Sequence, residues 1–231
     1  MDRIRRLAAI IFDLDDTLYP ERDYVMSGFR FLSLTIESRY GLPAEVAFAE
    51  LAQDFDQGHR GKNINLLLDR HGIDYKEDDI ADLVSAYREH DPDIELPEDT
   101  RSVLDKLRSE GMRMGLLTDG FFNAQSKKVD KLGLKEYFKS IIYTDELGKE
   151  FWKPHVEPFA KICRELEVAP ELCAYVGDNP LKDFFGAKKL GMLTIHAKRW
   201  AALGHDGVDK DYQADCAVNN LDELIFLLGL A

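Results

Sequence analysis

The sequence lacks any apolar run long enough to cross a membrane and has only three cysteines in 231 residues. A spanning helix needs about 20 apolar residues, whereas the apolar run near the N-terminus stops at Asp13 without a small-residue cleavage site. Cys163, Cys173 and Cys216 have no metal-ligand spacing, which is typical of buried thiols in a reducing compartment. We therefore expect a cytoplasmic protein without a membrane partner.

Basic residues are scarce relative to acidic ones. The chain has 30 Lys and Arg against 43 Asp and Glu, which gives a formal net charge of -13. Proteins that bind a nucleic-acid backbone normally present a basic surface, so we predict no nucleic-acid partner. A small anionic substrate is compatible with this charge if a metal ion or a local basic cluster supplies positive charge.

Most of the chain alternates short apolar runs with helical patterns. Strands are predicted at residues 7–12, 112–117, 140–143, 172–176, 192–196 and 214–218. Strands that alternate with helices are typical of parallel pairing through right-handed crossovers. We therefore predict an α/β fold, a three-layer sandwich with a mostly parallel, Rossmann-like sheet.

A segment without strand patterns interrupts this alternation after the first strand. Between Pro20 and Pro97, apolar residues recur at three- and four-residue spacing, and glycines separate the segments. Helices are predicted at residues 25–40, 44–55, 63–71 and 77–90. We predict an α/β core formed by residues 1–19 and 98–231, and a small all-helical domain formed by residues 20–97.

Acidic, hydroxyl and basic residues follow the predicted strand units in order. They are Asp13 and Asp15, then Thr118, then Lys153, then Asp178 and Asp183. Alternate residues of a strand point to one side, and ligands bind outside the carboxyl ends of parallel strands. Each residue alone could belong to an ordinary turn or to the surface. Their common placement predicts one crevice in which these residues bind a metal and attack a substrate.

With these residues in this order, the chain resembles the haloacid dehalogenase-like superfamily, in the subgroup with a helical cap between its first and second motifs. The resemblance implies that Asp13 is a nucleophile that forms an aspartyl-phosphate and that Asp15 is the general acid and base. It also implies that Thr118 and the neighbouring backbone amides, including that of Asp119, hold the phosphoryl oxygens. Lys153 would neutralise charge on the phosphoryl group and on the nucleophile.

The same resemblance implies a Mg²⁺ ion, because two carboxylates and a phosphate cannot crowd together without a cation and hard oxygen ligands select magnesium. Asp13 and Asp178 would bind the ion directly, together with the main-chain carbonyl of Asp15. Asp183 would stand behind these ligands and orient a bound water or Lys153.

Asp15 separates the activities known in this superfamily. Dehalogenases need no acid there, because halide leaves without a proton, and phosphonate-cleaving enzymes use a cap lysine, for which Lys62 is the candidate, and lack the second acid. We therefore predict a phosphatase that acts on a small phosphate monoester. A phosphomutase is the alternative. A phospho-acceptor regulatory protein is disfavoured, because its acceptor aspartate lies on a later strand than its acidic pair.

The segment from Gln57 to Asn63 is the most suggestive candidate for substrate recognition. It concentrates two cations and a histidine in an otherwise acidic chain. We predict that Arg60 or Lys62 contacts a polar or anionic part of the substrate, with a solvated turn as the alternative. By family analogy the substrate is a small phosphorylated metabolite, such as a sugar phosphate or a nucleotide-like compound. The sequence is compatible with a monomer or a homodimer.

Overall fold

The structure is a computed structural model that describes residues 4–200 and 208–230. The chain divides into two compact units, one formed by Met1–Glu21 with Glu95–Ala231 and the other by Arg22–Ile94. We call them the core unit and the helical unit. That the helical unit works as a cap domain stays a prediction.

The helical unit is a bundle of four helices. They are α1 (Glu21–Tyr40), α2 (Ala44–Asp56), α3 (Asn63–Arg70) and α4 (Glu77–Glu89). Each contributes a fully buried leucine to one apolar cluster: Leu32, Leu51, Leu67 and Leu83. The apolar spacing that predicted these helices is therefore the spacing of the residues that the bundle buries.

The core unit contains one parallel sheet. Its strands are β1 (Ala9–Phe12), β2 (Arg113–Thr118), β3 (Ser140–Tyr143), β4 (Cys173–Gly177), β5 (Leu193–Ala197) and β6 (Cys216–Val218). The strand order is β3-β2-β1-β4-β5-β6, with parallel pairing at every step. All four residues of the central strand β1 are buried, as expected for a parallel sheet covered on both faces. The predicted α/β fold is confirmed.

The helices of the core unit lie between its strands or, in the case of the last one, after the final strand. They are α5 (Glu98–Ser109), α6 (Phe122–Lys131), α7 (Val156–Leu166), α8 (Pro180–Lys189) and α9 (Asp222–Leu228). Ile162 and Leu166 of α7 pack with Ile11 and Tyr175 of the sheet. Among the described helices, none has both the length and the apolar character needed to span a bilayer.

The expected burial of the cysteines is confirmed for two of the three. All three are free thiols, and Cys163 and Cys173 are buried as predicted. Cys216 is only half-buried, which corrects the prediction, because its strand β6 lies at the edge of the sheet.

The segment between β3 and α7 contains two short 3₁₀ turns that periodicity did not predict, at Thr144–Leu147 and Lys149–Phe151. Single turns leave no repeating pattern in the sequence. Lys153 follows the second turn. Its side chain therefore extends from a loop of the core unit and not directly from the end of a strand.

Candidate active site

The site is built around the carboxyl end of β1. Phe12 pairs with Leu116 of β2 and with Val176 of β4, and the backbone N–H of Asp13 donates to the Val176 carbonyl at 2.9 Å. The residues that follow these three strands therefore emerge beside one another. Asp13 is the first residue after β1, and its side chain is buried.

Lys153 connects the nucleophile candidate to a second carboxylate. Its Nζ donates to Asp13 Oδ1 at 2.6 Å, to Asp183 Oδ1 at 2.8 Å and to the Tyr175 hydroxyl at 3.1 Å. Burial by itself lowers the pKa of Lys153, but the charges of Asp13 and Asp183 raise that pKa well above its usual value. The ammonium is therefore a permanent positive charge beside Asp13.

Three carboxyl groups crowd together at this place. Asp13, Asp178 and Asp183 offer ligand oxygens that all lie within 4.8 Å of one another. Burial, together with the charges of Asp13 and Asp183, raises the pKa of Asp178 to about 9. Burial likewise raises the pKa of Asp13 to about 7, although Lys153 opposes the shift. The single positive charge of Lys153 does not neutralise three carboxylates. The oxygen ligands that this cluster offers fit a hard divalent cation.

Asp183 is already satisfied by hydrogen bonds from the protein. It is fully buried in the first turn of α8. Its Oδ1 accepts from Lys153 and from the Tyr175 hydroxyl, and its Oδ2 accepts from the Asn179 backbone N–H at 2.8 Å. Gly177 permits this arrangement, since a Cβ there would lie 2.4 Å from Asp183 Oδ2. Asp183 therefore holds Lys153 and the loop after β4 in place.

Thr118 and Asp119 lie at the end of β2. The Thr118 side chain is buried, and its Oγ1 accepts from Gln125 Nε2 at 2.5 Å. Asp119 Oδ1 accepts from the Thr144 hydroxyl at 2.8 Å and from the Lys153 backbone N–H at 3.1 Å. The Asp119 carboxylate thus fastens the Lys153 loop, and a contact of this residue with phosphate would have to come from its backbone amide.

The Asp15 carboxylate accepts hydrogen bonds from three side chains. Lys128 Nζ and the Tyr19 hydroxyl donate to Oδ1 at 2.8 and 2.6 Å, and Gln125 Nε2 donates to Oδ2 at 2.8 Å. Burial by itself raises the pKa of Asp15, but the charge of Lys128 and these hydrogen bonds lower it overall. Donors from the protein therefore hold both oxygens of the Asp15 carboxyl group.

Sequence reasoning missed Gln125 and Lys128. Both are buried, at 2% and 3% exposure, between the buried apolar residues Ala124 and Val129 of α6. Their three-residue spacing places them on the same side of the helix as this apolar stripe. Two polar residues in the apolar stripe of a helix that follows Thr118 were the signal that could have identified them.

Arg60 and Lys62 belong to the helical unit, in the segment between α2 and α3. The Arg60 guanidinium donates to the carbonyls of Phe55 and His59 at 2.6 and 2.9 Å and lies 3.7 Å from the centre of the Phe55 ring. Arg60 and Lys62 are both exposed. Their contact with substrate stays a prediction, and Arg60 would have to exchange some of these local contacts for it.

Comparison with known proteins gives matches along nearly the whole chain. The family described as haloacid dehalogenase-like hydrolase matches residues 10–197. A glyceraldehyde 3-phosphate phosphatase from Methanopyrus kandleri is 32% identical over 229 residues, which cover 95% of this chain and 96% of that protein. A pyrophosphatase from Bacillus anthracis is 25% identical, with 97% of each chain covered.

A solved structure shares the fold. The crystal structure of a HAD phosphatase from Thermococcus onnurineus matches with a TM-score of 0.63 and 24% identity. The match covers 96% of this chain and 98% of that chain. The similarity therefore includes the segment that forms the helical unit.

Proposed function

We propose a specific reaction for this chain, which belongs to the haloacid dehalogenase-like hydrolase family: Mg²⁺-dependent hydrolysis of a small phosphate monoester through an aspartyl-phosphate on Asp13. The chain is an enzyme of the phosphatase type within this family. The observation that carries the specific reaction is the Lys153 ammonium 2.6 Å from Asp13 Oδ1 at the end of β1. A second acid, Asp15, follows two residues later.

In the first step an Asp13 carboxylate oxygen forms a bond to phosphorus while the bond from phosphorus to the leaving oxygen breaks. Lys153 reduces the repulsion between the two anions, and the Thr118 hydroxyl and the backbone amide of Asp119 hold oxygens that do not react. The negative charge of the bound phosphoryl group favours uptake of a proton from water by Asp15. Asp15 then gives this proton to the leaving oxygen, so that an alcohol departs.

In the second step Asp15 takes a proton from water as the water oxygen attacks phosphorus. The bond between phosphorus and Asp13 breaks, inorganic phosphate leaves and the Asp13 carboxylate is restored. A halide would need no proton from Asp15, which is why the second acid favours phosphate esters as substrates.

The residues that would hold Mg²⁺ are Asp13, Asp178 and the main-chain carbonyl of Asp15, with Asp183 behind them. When bound, the ion neutralises carboxylate and phosphoryl oxygens and fixes their orientation. The support for this assignment is the crowding of Asp13, Asp178 and Asp183 oxygens within 4.8 Å.

The ion should be detectable without any activity measurement. A ligand at about 100 times its dissociation constant stabilises a fold by about 2.7 kcal/mol, so Mg²⁺ should raise the melting temperature measured by calorimetry. Asp178→Asn should remove most of this shift and should not lower stability in EDTA, because it removes one crowded negative charge. The exposed Asp91 gives the matched control, Asp91→Asn, which should keep the full shift. An equal shift in all three proteins would contradict the assignment.

The test of the reaction is phosphate release from a substrate panel. The panel contains p-nitrophenyl phosphate, glyceraldehyde 3-phosphate, hexose phosphates, nucleoside monophosphates and pyrophosphate, each with Mg²⁺ and with EDTA. We expect Mg²⁺-dependent release, fastest from a small phosphorylated metabolite, since the relatives include glyceraldehyde 3-phosphate phosphatases. No release from folded protein, together with stable phosphate on Asp13, would favour the phosphomutase or the regulatory alternative.

We further propose that the helical unit contributes to substrate choice through Arg60. Arg60→Ala should raise KM for the best metabolite about tenfold and leave KM for p-nitrophenyl phosphate nearly unchanged, because loss of one uniform binding contact of about 1.4 kcal/mol changes KM and not kcat. Arg39→Ala, at another exposed arginine of the helical unit, is the control. Equal effects of Arg60→Ala on both substrates would remove the proposed role.

A further inference from the structure

The proposed mechanism uses Asp15 but leaves unexplained why three buried or partly buried donors surround it. We define Tyr19, Gln125 and Lys128 as the Asp15 clamp. We propose that Gln125 and Lys128 of α6 are positioning residues, which hold the Asp15 carboxyl for proton transfer and turn the Thr118 hydroxyl toward the phosphoryl group. This inference rests on the proposed function. It assigns roles to two residues that are not among the strand-end residues predicted from the sequence.

Both oxygens of Asp15 are engaged by the clamp. Lys128 and Tyr19 bind Oδ1, and Gln125 binds Oδ2, so rotation of the carboxyl about its last side-chain bond would break bonds at both ends. Lys128 and Gln125 are almost completely buried, where hydrogen bonds to a charged group are stronger than in water. The clamp therefore restricts a carboxyl that must reach the leaving oxygen and later the attacking water.

Gln125 has a second task because its amide nitrogen also reaches Thr118. The same Nε2 lies 2.8 Å from Asp15 Oδ2 and 2.5 Å from Thr118 Oγ1. The opposite amide orientation would place the acceptor Oε1 against two other acceptor oxygens, Asp15 Oδ2 and Thr118 Oγ1, so these two contacts fix which end of the amide faces inward. Thr118 Oγ1 must then accept from Gln125. Its own hydrogen makes a long bond of 3.4 Å to the Asp119 carbonyl, which it would exchange for a bond to a phosphoryl oxygen.

Gln125 thus ties the residue that moves the proton to the residue that holds the phosphoryl group. The leaving oxygen and the phosphoryl oxygens are attached to the same phosphorus atom, so the separation of Asp15 and Thr118 has to be fixed for both to act on one substrate. Gly120 leaves room for this link, because a Cβ there would lie 3.1 Å from Gln125 Cδ and Cγ.

The decisive measurement compares leaving groups. An alkyl phosphate needs a proton on its leaving oxygen, whereas p-nitrophenolate leaves easily without one. Lys128→Met should lower kcat/KM about 100-fold for an alkyl phosphate, as misplaced catalytic groups do, and about tenfold or less for p-nitrophenyl phosphate. Lys128→Arg should recover part of the loss. Lys131→Met, which removes the same charge from an exposed position of α6, should change neither.

A second readout follows the phosphoenzyme. With p-nitrophenyl phosphate, Lys128→Met should accumulate phosphate on Asp13, because only the water step still depends on Asp15. Acid quenching and mass spectrometry measure this fraction. Both readouts are ratios within one sample, so a partly unfolded preparation does not imitate them. Gln125→Met, which keeps the length but loses both donated bonds, should in addition raise KM for every phosphate ester.

The outcomes separate this inference from the proposed function. Asp15→Asn should show the leaving-group dependence. If it does, but Lys128→Met lowers kcat/KM equally for both substrates and accumulates no phosphoenzyme, the clamp is merely structural and the inference is wrong. If Asp15→Asn itself shows no leaving-group dependence, the proposed role of Asp15 fails first. A selective loss in Lys128→Met that is absent from Lys131→Met supports the positioning role.

Discussion

Asp13→Asn should abolish phosphate release, with kcat reduced by about 10⁴-fold or more, as for other catalytic nucleophiles. An amide oxygen does not attack phosphorus, so the covalent intermediate cannot form. The change preserves the shape of the side chain and removes one negative charge from a crowded cluster. The free energy of unfolding in metal-free buffer should therefore not fall, and the variant separates chemistry from folding.

Two measurements complete this experiment. Acid-quenched wild-type protein should carry phosphate on Asp13 during turnover, and the variant should carry none. Asp91→Asn makes the same chemical change at an exposed position and should retain full activity. If Asp13→Asn keeps more than about a tenth of the wild-type kcat, a different residue is the nucleophile, and the assignment of roles at the end of β1 is wrong.

The position of Asp13 was accessible from the sequence because one physical constraint fixes it. A central parallel strand is covered on both faces, so it is a continuous apolar run, and the first carboxylate after that run lies at the carboxyl end of the sheet. The same argument places Asp178 after β4. These predictions need only the strand assignment and the parallel topology, both of which the sheet confirms.

The contacts between side chains within the site could not be predicted from the sequence in this way. Lys153 meets Asp13 only because two single 3₁₀ turns and the Asp119 carboxylate fix the loop before it. Lys128 lies in α6, but no periodic pattern reveals that its ammonium reaches Asp15. Such pairings depend on three-dimensional distances between residues far apart in the chain, and one sequence does not contain them.

Lys153→Met should lower the free energy of unfolding by about 3–5 kcal/mol, the cost of removing one partner from a buried ion pair. Lys153 is buried, and its Nζ contacts Asp13, Asp183 and the Tyr175 hydroxyl. Methionine fills a similar volume but donates no hydrogen bond, which leaves two buried carboxyl groups without their positive partner. Phosphate release should be lost as well, because Asp13 would face the phosphoryl group without charge compensation. Urea denaturation followed by circular dichroism measures the stability change.

A double-mutant cycle shows whether the destabilisation comes from the uncompensated charge. In an Asp13→Asn background, Lys153→Met should cost less than in the wild type, because one of the two carboxylates is already neutral. Lys153→Arg should retain much of the stability but little activity, since a planar guanidinium cannot replace a compact ammonium among three partners. Lys149→Met, at an exposed lysine in the same loop, should leave stability and activity unchanged. A cost below about 1 kcal/mol for Lys153→Met, the value of an exposed ion pair, would mean that water reaches this ammonium and that Lys153 is not the buried counter-charge of the nucleophile.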